Sequence, residues 1–377
     1  MKALVLGCGE MGSEVIKDLY RYANLDEIVI GTRTPAKAEK ICALLAGRNT
    51  RLTVMRADAG DPDMLVSLMK GVDVAVNSVG PNYKYELPIA RAAIRAGVDL
   101  VDMNDEYEIT FKMFEISREA HDAGITIIFG LGGSPGINNV LVRAAANQFD
   151  DVEEIHTAWV MSALDPGGPA LSMHLLYSLS GPALTFDNGR LIEVQSFVDG
   201  KERITFPPPV GPLDVFHVGH PEPIMFSRSY PGIRYADDKA TFNPPEINDL
   251  IVMLGKLIRA AGGPIHVDGR EIDIMDFAAS YLHQACRRKS GVPPEAALYI
   301  QVKGKKEGKT RKAFFSSVSR LAPATGIPAS IGAIMLLQGT IQKKGAMPPE
   351  QCIEADDFLY EILTRRNLAT LNGWIED

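Results

Sequence analysis

The sequence predicts an α/β chain: an N-terminal Rossmann domain on a parallel, doubly wound sheet, then an α+β second domain on a mainly antiparallel sheet. Three observations carry that prediction. The chain opens on a short apolar run, Met1-Lys-Ala-Leu-Val-Leu, that enters Gly7-Cys-Gly9-Glu-Met-Gly12 and at once an amphipathic stretch. Strand-like and helix-like runs then alternate to residue 150, the pattern of a parallel sheet covered on both faces. Beyond Asp150-Asp151 β-prone runs are punctuated by Asp-Gly turns instead, the pattern of antiparallel hairpins. A length of 377 residues exceeds one ordinary core, so two domains are expected. The first is expected at residues 1–135 and the second from residue 136 onward.

In the first half, strands are expected at Lys2–Leu6, Glu27–Gly31, Leu52–Arg56, Val72–Val76, Leu100–Asp102 and Thr126–Phe129. Helices are expected between them at Met11–Tyr22, Pro35–Leu45, Pro62–Lys70, Leu87–Ala96 and Ile109–Ala123. In the second half, Asp199-Gly200 and Asp268-Gly269 read as hairpin turns, and Gly304–Gly308 joins two further strand-like runs. Helical patterns fall at Ile247–Ala261, Asp273–Arg288, Pro328–Lys343 and Ala355–Arg366.

Ligands of a parallel sheet sit beyond the carboxyl ends of its strands, so function is sought in the residues that follow each strand. After the first strand, Gly7 makes the tight turn, Gly9 lets a diphosphate approach the backbone, and Gly12 lets the helix pack closely. The N–H groups at Glu10 and Met11 open that helix toward the phosphates. After the second strand comes Thr32-Arg33-Thr34, where an NAD site usually carries an acid. A guanidinium and hydroxyls attract a 2′-phosphate that a carboxylate would repel, so NADP is favoured over NAD. Asp58 and Ala59 follow the third strand, with Asp58 either at the adenine edge or capping the next helix. Asn77, Ser78, Val79, Gly80 and Pro81 follow the fourth, at the expected nicotinamide ribose, and Tyr83 and Tyr85 are candidates for the substrate mouth. Asp102, Asp105 and Glu106 follow the fifth, where carboxylates can orient an amine and move protons. The Gly130–Asn139 loop opens a helix whose positive end suits the cofactor amide or a substrate carboxylate.

Composition excludes several classes. A net charge of −8 with no basic block argues against nucleic acid or an anionic membrane as partner. No apolar run reaches the length of a membrane span, and the apolar start is too short for a signal peptide. Four scattered cysteines with no C-x-x-C pair fit a reducing cytoplasm. The sequence displays no metal-ligand spacing and no nucleophile elbow.

Read together, these stations resemble the saccharopine dehydrogenase superfamily and, within it, the lysine 6-dehydrogenase branch. The carrying residues are Gly7–Gly12, Asp58-Ala-Gly-Asp61, Asp73–Asn77, Gly80-Pro81 with Tyr85, Gly97–Asp102 and Ser134-Pro-Gly136. In the second half they are Gly211–His217, Ser227–Pro231 and Lys343–Glu350. The resemblance implies a Rossmann domain at 1–135 completed by about 330–377, an open-sheet substrate and dimerisation domain at 136–329, a homodimer, and redox chemistry on the C–N bond of a small amino acid, amine or imine. Two departures stand out. The branch has an acid where Thr32-Arg33-Thr34 stands, and its relatives have an Arg-Tyr-x-Gly-His-like stretch where Arg234-Tyr235 continues as Ala236-Asp-Asp-Lys239.

For the chemistry this implies, three residues are the candidates: His217, in a loop specific to the branch, as proton shuttle, Asp102 to handle the amine, and Lys239 to pair with a substrate carboxylate. His220 and His174 rank below them as packed histidines. The expected function is an NAD(P)-dependent oxidoreductase for oxidative deamination or reductive amination. The alternatives are a carboxynorspermidine-type polyamine reductase and a nucleotide-sensing protein without catalysis.

Overall fold

The computed structural model describes residues 1–165 and 167–376. The elements run β1 (Lys2–Leu6), α1 (Glu10–Tyr22), β2 (Glu27–Thr32), α2 (Pro35–Ala43), β3 (Arg51–Arg56), α3 (Pro62–Met69), β4 (Val74–Asn77), α4 (Asn82–Ala96), β5 (Asp99–Asp102), α5 (Tyr107–Glu115), α6 (Ser117–Asp122), β6 (Thr126–Ile128) and α7 (Ile137–Ala146). They continue with β7 (Asp151–Ser162), α8 (Pro169–Leu179), β8 (Pro182–Asp187), β9 (Arg190–Gln195), β10 (Glu202–Thr205), β11 (Pro212–His217), α9 (Glu222–Ser229), β12 (Tyr235–Asn243), α10 (Glu246–Ala261), β13 (Ile265–Val267), β14 (Arg270–Ile272), α11 (Ile274–Arg287), β15 (Ala296–Lys306) and β16 (Lys309–Ser319). The chain ends with α12 (Leu321–Leu337), β17 (Gly345–Met347), α13 (Ala355–Leu359), a π-helical turn at Tyr360–Arg365, and β18 (Thr370–Glu376).

Two compact units result: Met1–Val140 with Ala322–Arg366, and Leu141–Leu321 with residues 367–376. The first holds a seven-stranded sheet in the order β17-β6-β5-β4-β1-β2-β3. Every pairing in it is parallel. The strand order reverses between β1 and β4, so the ends of β1 and β4 open the crevice where such sheets bind nucleotides. Ala3, Leu4 and Val5 of β1 are buried, as a central strand covered on both faces requires. The apolar stripe Val15, Ile16 and Leu19 of α1 is buried too. Asp61 starts α3 by accepting hydrogen bonds from the Asp63 and Met64 N–H groups. Gly97 ends α4 in the left-handed conformation, at φ 69°.

The segment that returns to this unit is anchored by packing and charge. From Ala329 to Leu336 every residue of α12 is buried, the mark of a helix surrounded by protein. Gly326 lies where α12 meets α1: a Cβ there would strike the Met11 carbonyl oxygen. Arg366 grips Asp18 of α1 with two hydrogen bonds of 2.8 and 2.9 Å, and Ser330 donates to the same carboxylate at 2.7 Å.

The second unit holds a nine-stranded sheet in the order β10-β11-β12-β7-β15-β16-β18, with β8 on β12 and β9 on β8. Only β12 and β7 pair in parallel. Trp159, Met161 and Phe242 pack on one face against α8, α10 and α11, through Leu175, Leu176, Leu179, Ile247, Ile251 and Leu282. On the other face Ala158 and Val160 join Ile204, Phe206 and Val215 in a smaller cluster.

The structure corrects several expectations. Residues 370–376 pair with β16 in the second sheet, rather than completing the Rossmann side. Asp199-Gly200 does not join neighbouring strands: β9 pairs with β8, and β10 with β11. The hairpin turn there is Asn188-Gly189, at φ 46° and 86°, the positive values a two-residue turn demands. Asp268-Gly269 does turn β13 into β14, and Glu307-Gly308 turns β15 into β16. Helix α4 begins at Asn82, five residues before the expected Leu87, because its first turn, Asn82-Tyr-Lys-Tyr85, carries no aliphatic residue to start the apolar periodicity. The stretch expected as one helix at 109–123 breaks at Ile116 into α5 and α6.

Candidate functional site

In the first unit a cleft of about 230 Å³ opens at the carboxyl ends of β1 and β2. Among the expected cofactor residues, Gly7, Gly9, Thr32, Arg33, Thr34, Ala59, Val79 and Gly80 line it. The three glycines divide the work. Gly7 sits at φ 90°, and a Cβ on it would lie 2.7 Å from Ser78 Oγ. A Cβ on Gly12 would strike Ser78 Oγ and the Gly7 carbonyl oxygen. A Cβ on Gly9 meets nothing within 4 Å. Gly7 and Gly12 are therefore glycines for packing, and Gly9 leaves open space in front of its backbone. The Thr32 hydroxyl accepts from the Thr34 N–H at 3.1 Å and from Cys8 Sγ at 3.2 Å, which fixes the bend that carries Arg33. Lys37, in the first helical turn after it, also lines the cleft, a second cation the sequence reading missed.

The remaining expected residues take supporting places outside the lining. Glu10 and Met11 open α1 with its N–H groups behind Gly9. Ser78 Oγ donates to the Leu6 carbonyl at 2.8 Å and braces the glycine loop. The Asp58 carboxylate accepts from the Gly60 N–H at 2.9 Å and shapes its own turn, while Asp61 is the helix cap. Asn77 accepts from the Val79 N–H at 3.0 Å, and Pro81 precedes α4. Tyr85 of α4 joins the cleft wall.

Beyond β4 and β5 lies a buried polar chain. Asn77 Nδ2 donates to Glu86 at 2.8 Å. Glu86 faces Asp102, and both are fully buried. Asp102 Oδ1 accepts from the N–H groups of Asn104 at 2.7 Å and Gly130 at 3.2 Å. Burial, and then the Asp102 charge, push the Glu86 carboxyl well above its usual range. Burial raises Asp102 as well, although hydrogen bonds oppose it. With two backbone donors on Asp102, the shared proton belongs on Glu86. Asp102 thus ties the 102–106 loop to the 130 loop.

The start of α7 is likewise tied internally. Gly136, at φ 130°, closes onto the Gly132 backbone, and its N–H donates to Asn139 Oδ1 at 2.9 Å. Asn139 in turn donates to Glu350 at 2.8 Å.

In the second unit, alternation along β12 puts Tyr235, Asp237 and Lys239 on one side of the sheet. His217 of β11 stands opposite Lys239, and His156 of β7 opposite Asp237. Asp237, buried and absent from the sequence reading, is the hub. It lies 3.0 Å from His156 Nδ1, 3.2 Å from Lys239 Nζ, 3.9 Å from His217 Nδ1, and accepts from Tyr235 at 3.3 Å. Lys239 also donates to Glu202 at 2.6 Å. Burial would raise Asp237, but His156 and Lys239 outweigh it and hold the carboxyl low. Burial pulls Lys239 down, but Asp237 and Glu202 lift it above its usual value. Burial keeps His217 below the usual histidine range. The strand alternation at 235, 237 and 239 is the signal that would have found Asp237.

The opposite side carries a second buried set. Asp238 accepts from Thr157 at 2.7 Å and Trp159 Nε1 at 2.9 Å. Burial, then Glu222, push its carboxyl well up. The buried His220 lies against the Trp159 ring, at 4.9 Å between centroids.

The first unit defines the class: a parallel, glycine-cradled dinucleotide fold of the oxidoreductases. Residues 3–128 match the family described as the saccharopine dehydrogenase NADP binding domain. Across 96% of this chain and 95% of its own, the carboxyaminopropylagmatine dehydrogenase of a Synechocystis species is 23% identical. The carboxynorspermidine synthase of Vibrio alginolyticus is 25% identical over 95% of this chain and 94% of its own. The mitochondrial alpha-aminoadipic semialdehyde synthase of Rattus norvegicus is 25% identical over 57% of this chain and 23% of its own. The chain is an NADP-binding oxidoreductase. Among the described residues no helix is long and apolar enough to cross a membrane.

Proposed function

We propose that this oxidoreductase acts on the C–N bond of a small amine, amino acid or imine, with NADP as its cofactor. The cleft carries the reading: bare backbone at Gly9 for the diphosphate, and Arg33, Lys37 and the Thr34 hydroxyl grouped where a 2′-phosphate is expected. Bound there, the nicotinamide supplies or accepts the hydride. The chain supplies the frame. Ser78 holds the glycine loop, Asn77 sets the Val79 N–H, and Asp102 fixes two loops at the strand ends. Asp102 is fully buried, so we assign it to positioning rather than to a direct grip on an amine. His217 and Lys239, grouped around Asp237, are the proposed proton-handling and carboxylate-gripping groups.

Within this reading the polyamine alternative gains weight. Two relatives that match nearly end to end carry the names of a carboxyaminopropylagmatine dehydrogenase and a carboxynorspermidine synthase. A homodimer working in the cytoplasm completes the proposal, on the resemblance and the scattered cysteines. The test follows NADPH and NADH consumption with a panel of ω-aldehydes, each offered ammonia, amino acids, diamines or agmatine. NADPH turnover that requires both an aldehyde and an amine supports the reading, and the amine accepted selects between the amino-acid and polyamine forms. Tight NADPH binding with no turnover across the panel would favour a nucleotide sensor and refute it.

A further inference from the structure

The set on the second side of β12 has a geometry of its own. His220 Nδ1 lies 3.5 Å from Glu222 Oε2 and 3.6 Å from Asp238 Oδ2. One donor atom from each of these three residues falls within 4.8 Å of the other two. His220 is 4% exposed, and its Nδ1 makes no hydrogen bond although it points between two carboxylates.

Distances decide what such a set fits. A charge-assisted N–H···O bond spans about 2.7–2.9 Å, so 3.5 and 3.6 Å are too long for His220 to bind either carboxylate directly. Around an ammonium, acceptors at that bond length stand roughly 4.4–4.7 Å apart at tetrahedral angles. Around zinc, nitrogen and oxygen ligands at about 2.0–2.2 Å stand roughly 3.3–3.6 Å apart. Both measured separations sit at the metal value. Charge agrees, because two carboxylates and a neutral imidazole neutralise a dication. The second shell is also built: Thr157 and Trp159 hold the Asp238 carboxylate at 2.7 and 2.9 Å.

We propose that His220, Glu222 and Asp238 ligate a divalent first-row metal ion, best fitted by zinc, with the fourth position open. The linear sequence hides this set. His220 and Glu222 are close in the chain, but the β12 register brings in Asp238. The proposal does not depend on the oxidoreductase reading, and binding alone tests it.

Full-length chain is dialysed against a chelator and titrated with Co²⁺. The expected result is one equivalent bound, with the intense visible bands of a four-coordinate ion, displaced by Zn²⁺. Asp238→Asn and His220→Ala should abolish those bands. Thr157→Val, which leaves all three ligands in place, should weaken affinity roughly 10- to 100-fold. Far-ultraviolet circular dichroism and cooperative denaturant unfolding confirm folding, and Thr157→Val keeps the test alive should a ligand variant not fold. Failure of the wild-type chain to retain Co²⁺ or Zn²⁺, or undiminished binding in every variant, overturns the proposal. So does butane-1,4-diamine stabilising the metal-free wild-type chain but not Asp238→Asn, which would assign the set to an organic ammonium.

Discussion

Backbone frames the cleft of the first unit, whereas side chains frame the polar clusters of the second. At Gly7, Gly9 and Gly12 the absence of a Cβ is the functional group. Around Asp237 four strands each contribute a charged or ionisable side chain: Glu202 from β10, His217 from β11, Lys239 from β12 and His156 from β7. The difference teaches where each site is vulnerable. A backbone cradle fails when any side chain is added, while a side-chain cluster fails in proportion to the charge removed.

The sharpest way to break the comparison lies within the glycine loop. Gly12→Val drives a side chain into Ser78 and the Gly7 carbonyl, so we expect loss of the fold, seen as lost cooperative unfolding. A Cβ on Gly9 meets no protein atom within 4 Å, so the fold of Gly9→Val should survive while NADPH affinity falls by roughly 100-fold or more, about 2.7 kcal/mol. Calorimetry on the folded variant measures it. Retained NADPH binding in Gly9→Val would remove the diphosphate from this loop.

In the second unit the largest effect should follow Asp237→Ala. It strands His156 and Lys239 beside a hole where a buried carboxylate stood. Breaking a buried pair from one side costs about 3–5 kcal/mol. Lys239 retains Glu202, so the low end of that range is expected. Denaturant unfolding reads it, and a loss below about 1 kcal/mol, the worth of an exposed ion pair, would mean the cluster is not coupled.

Arg33→Ala comes next. A hydrogen bond to a charged group is worth about 1.5–3 kcal/mol, so KM for NADPH should rise roughly 10- to 100-fold. KM for NADH, which lacks the 2′-phosphate, should move little. Lys37→Ala should show the same preference to a smaller degree, because its ammonium grips as a single point charge. Equal changes with both cofactors would remove Arg33 and Lys37 from the phosphate.

The same contrast explains what could be read from the sequence. A parallel sheet delivers each strand's following residues to one edge, so Gly7, Gly9, Thr32, Arg33, Thr34 and Gly80 reach one cleft, whatever the details of register. Lys37 was missed because it lies a helical turn beyond the strand end, where the motif says nothing. In the second unit, adjacency depends on which strand pairs with which and by how many residues. Neither Asp237 beside His156 nor Asp238 beside His220 can be deduced without the β12–β7 and β11–β12 registers. His217 and Lys239 were named separately, and only the register makes them neighbours. The chain's end escaped for the same reason: nothing local in residues 370–376 says that β16 is the partner.

Glu86 offers the smallest and most discriminating effect, because at the ends of β4 and β5 side chains form the frame within the first unit. Its carboxyl is pushed well above its usual range by burial and by Asp102. The folded chain therefore holds this proton more tightly than the unfolded chain does. That contribution to stability is complete below the unfolded value, near 4.5, and is lost as pH rises through the folded value. Glutamine needs no proton: its carbonyl can accept from Asn77, and its amide can donate to Asp102. Glu86→Gln should match the wild-type Tm near pH 4 and exceed it increasingly toward pH 8, by about 1 kcal/mol or more at neutral pH. Glu86→Ala should instead destabilise at every pH, because the Asp102 carboxylate is left buried without its donor. A Gln variant less stable than wild type by the same amount at pH 4 and pH 8 would mean that no proton is shared, and that Asp102 is held by its two backbone donors alone.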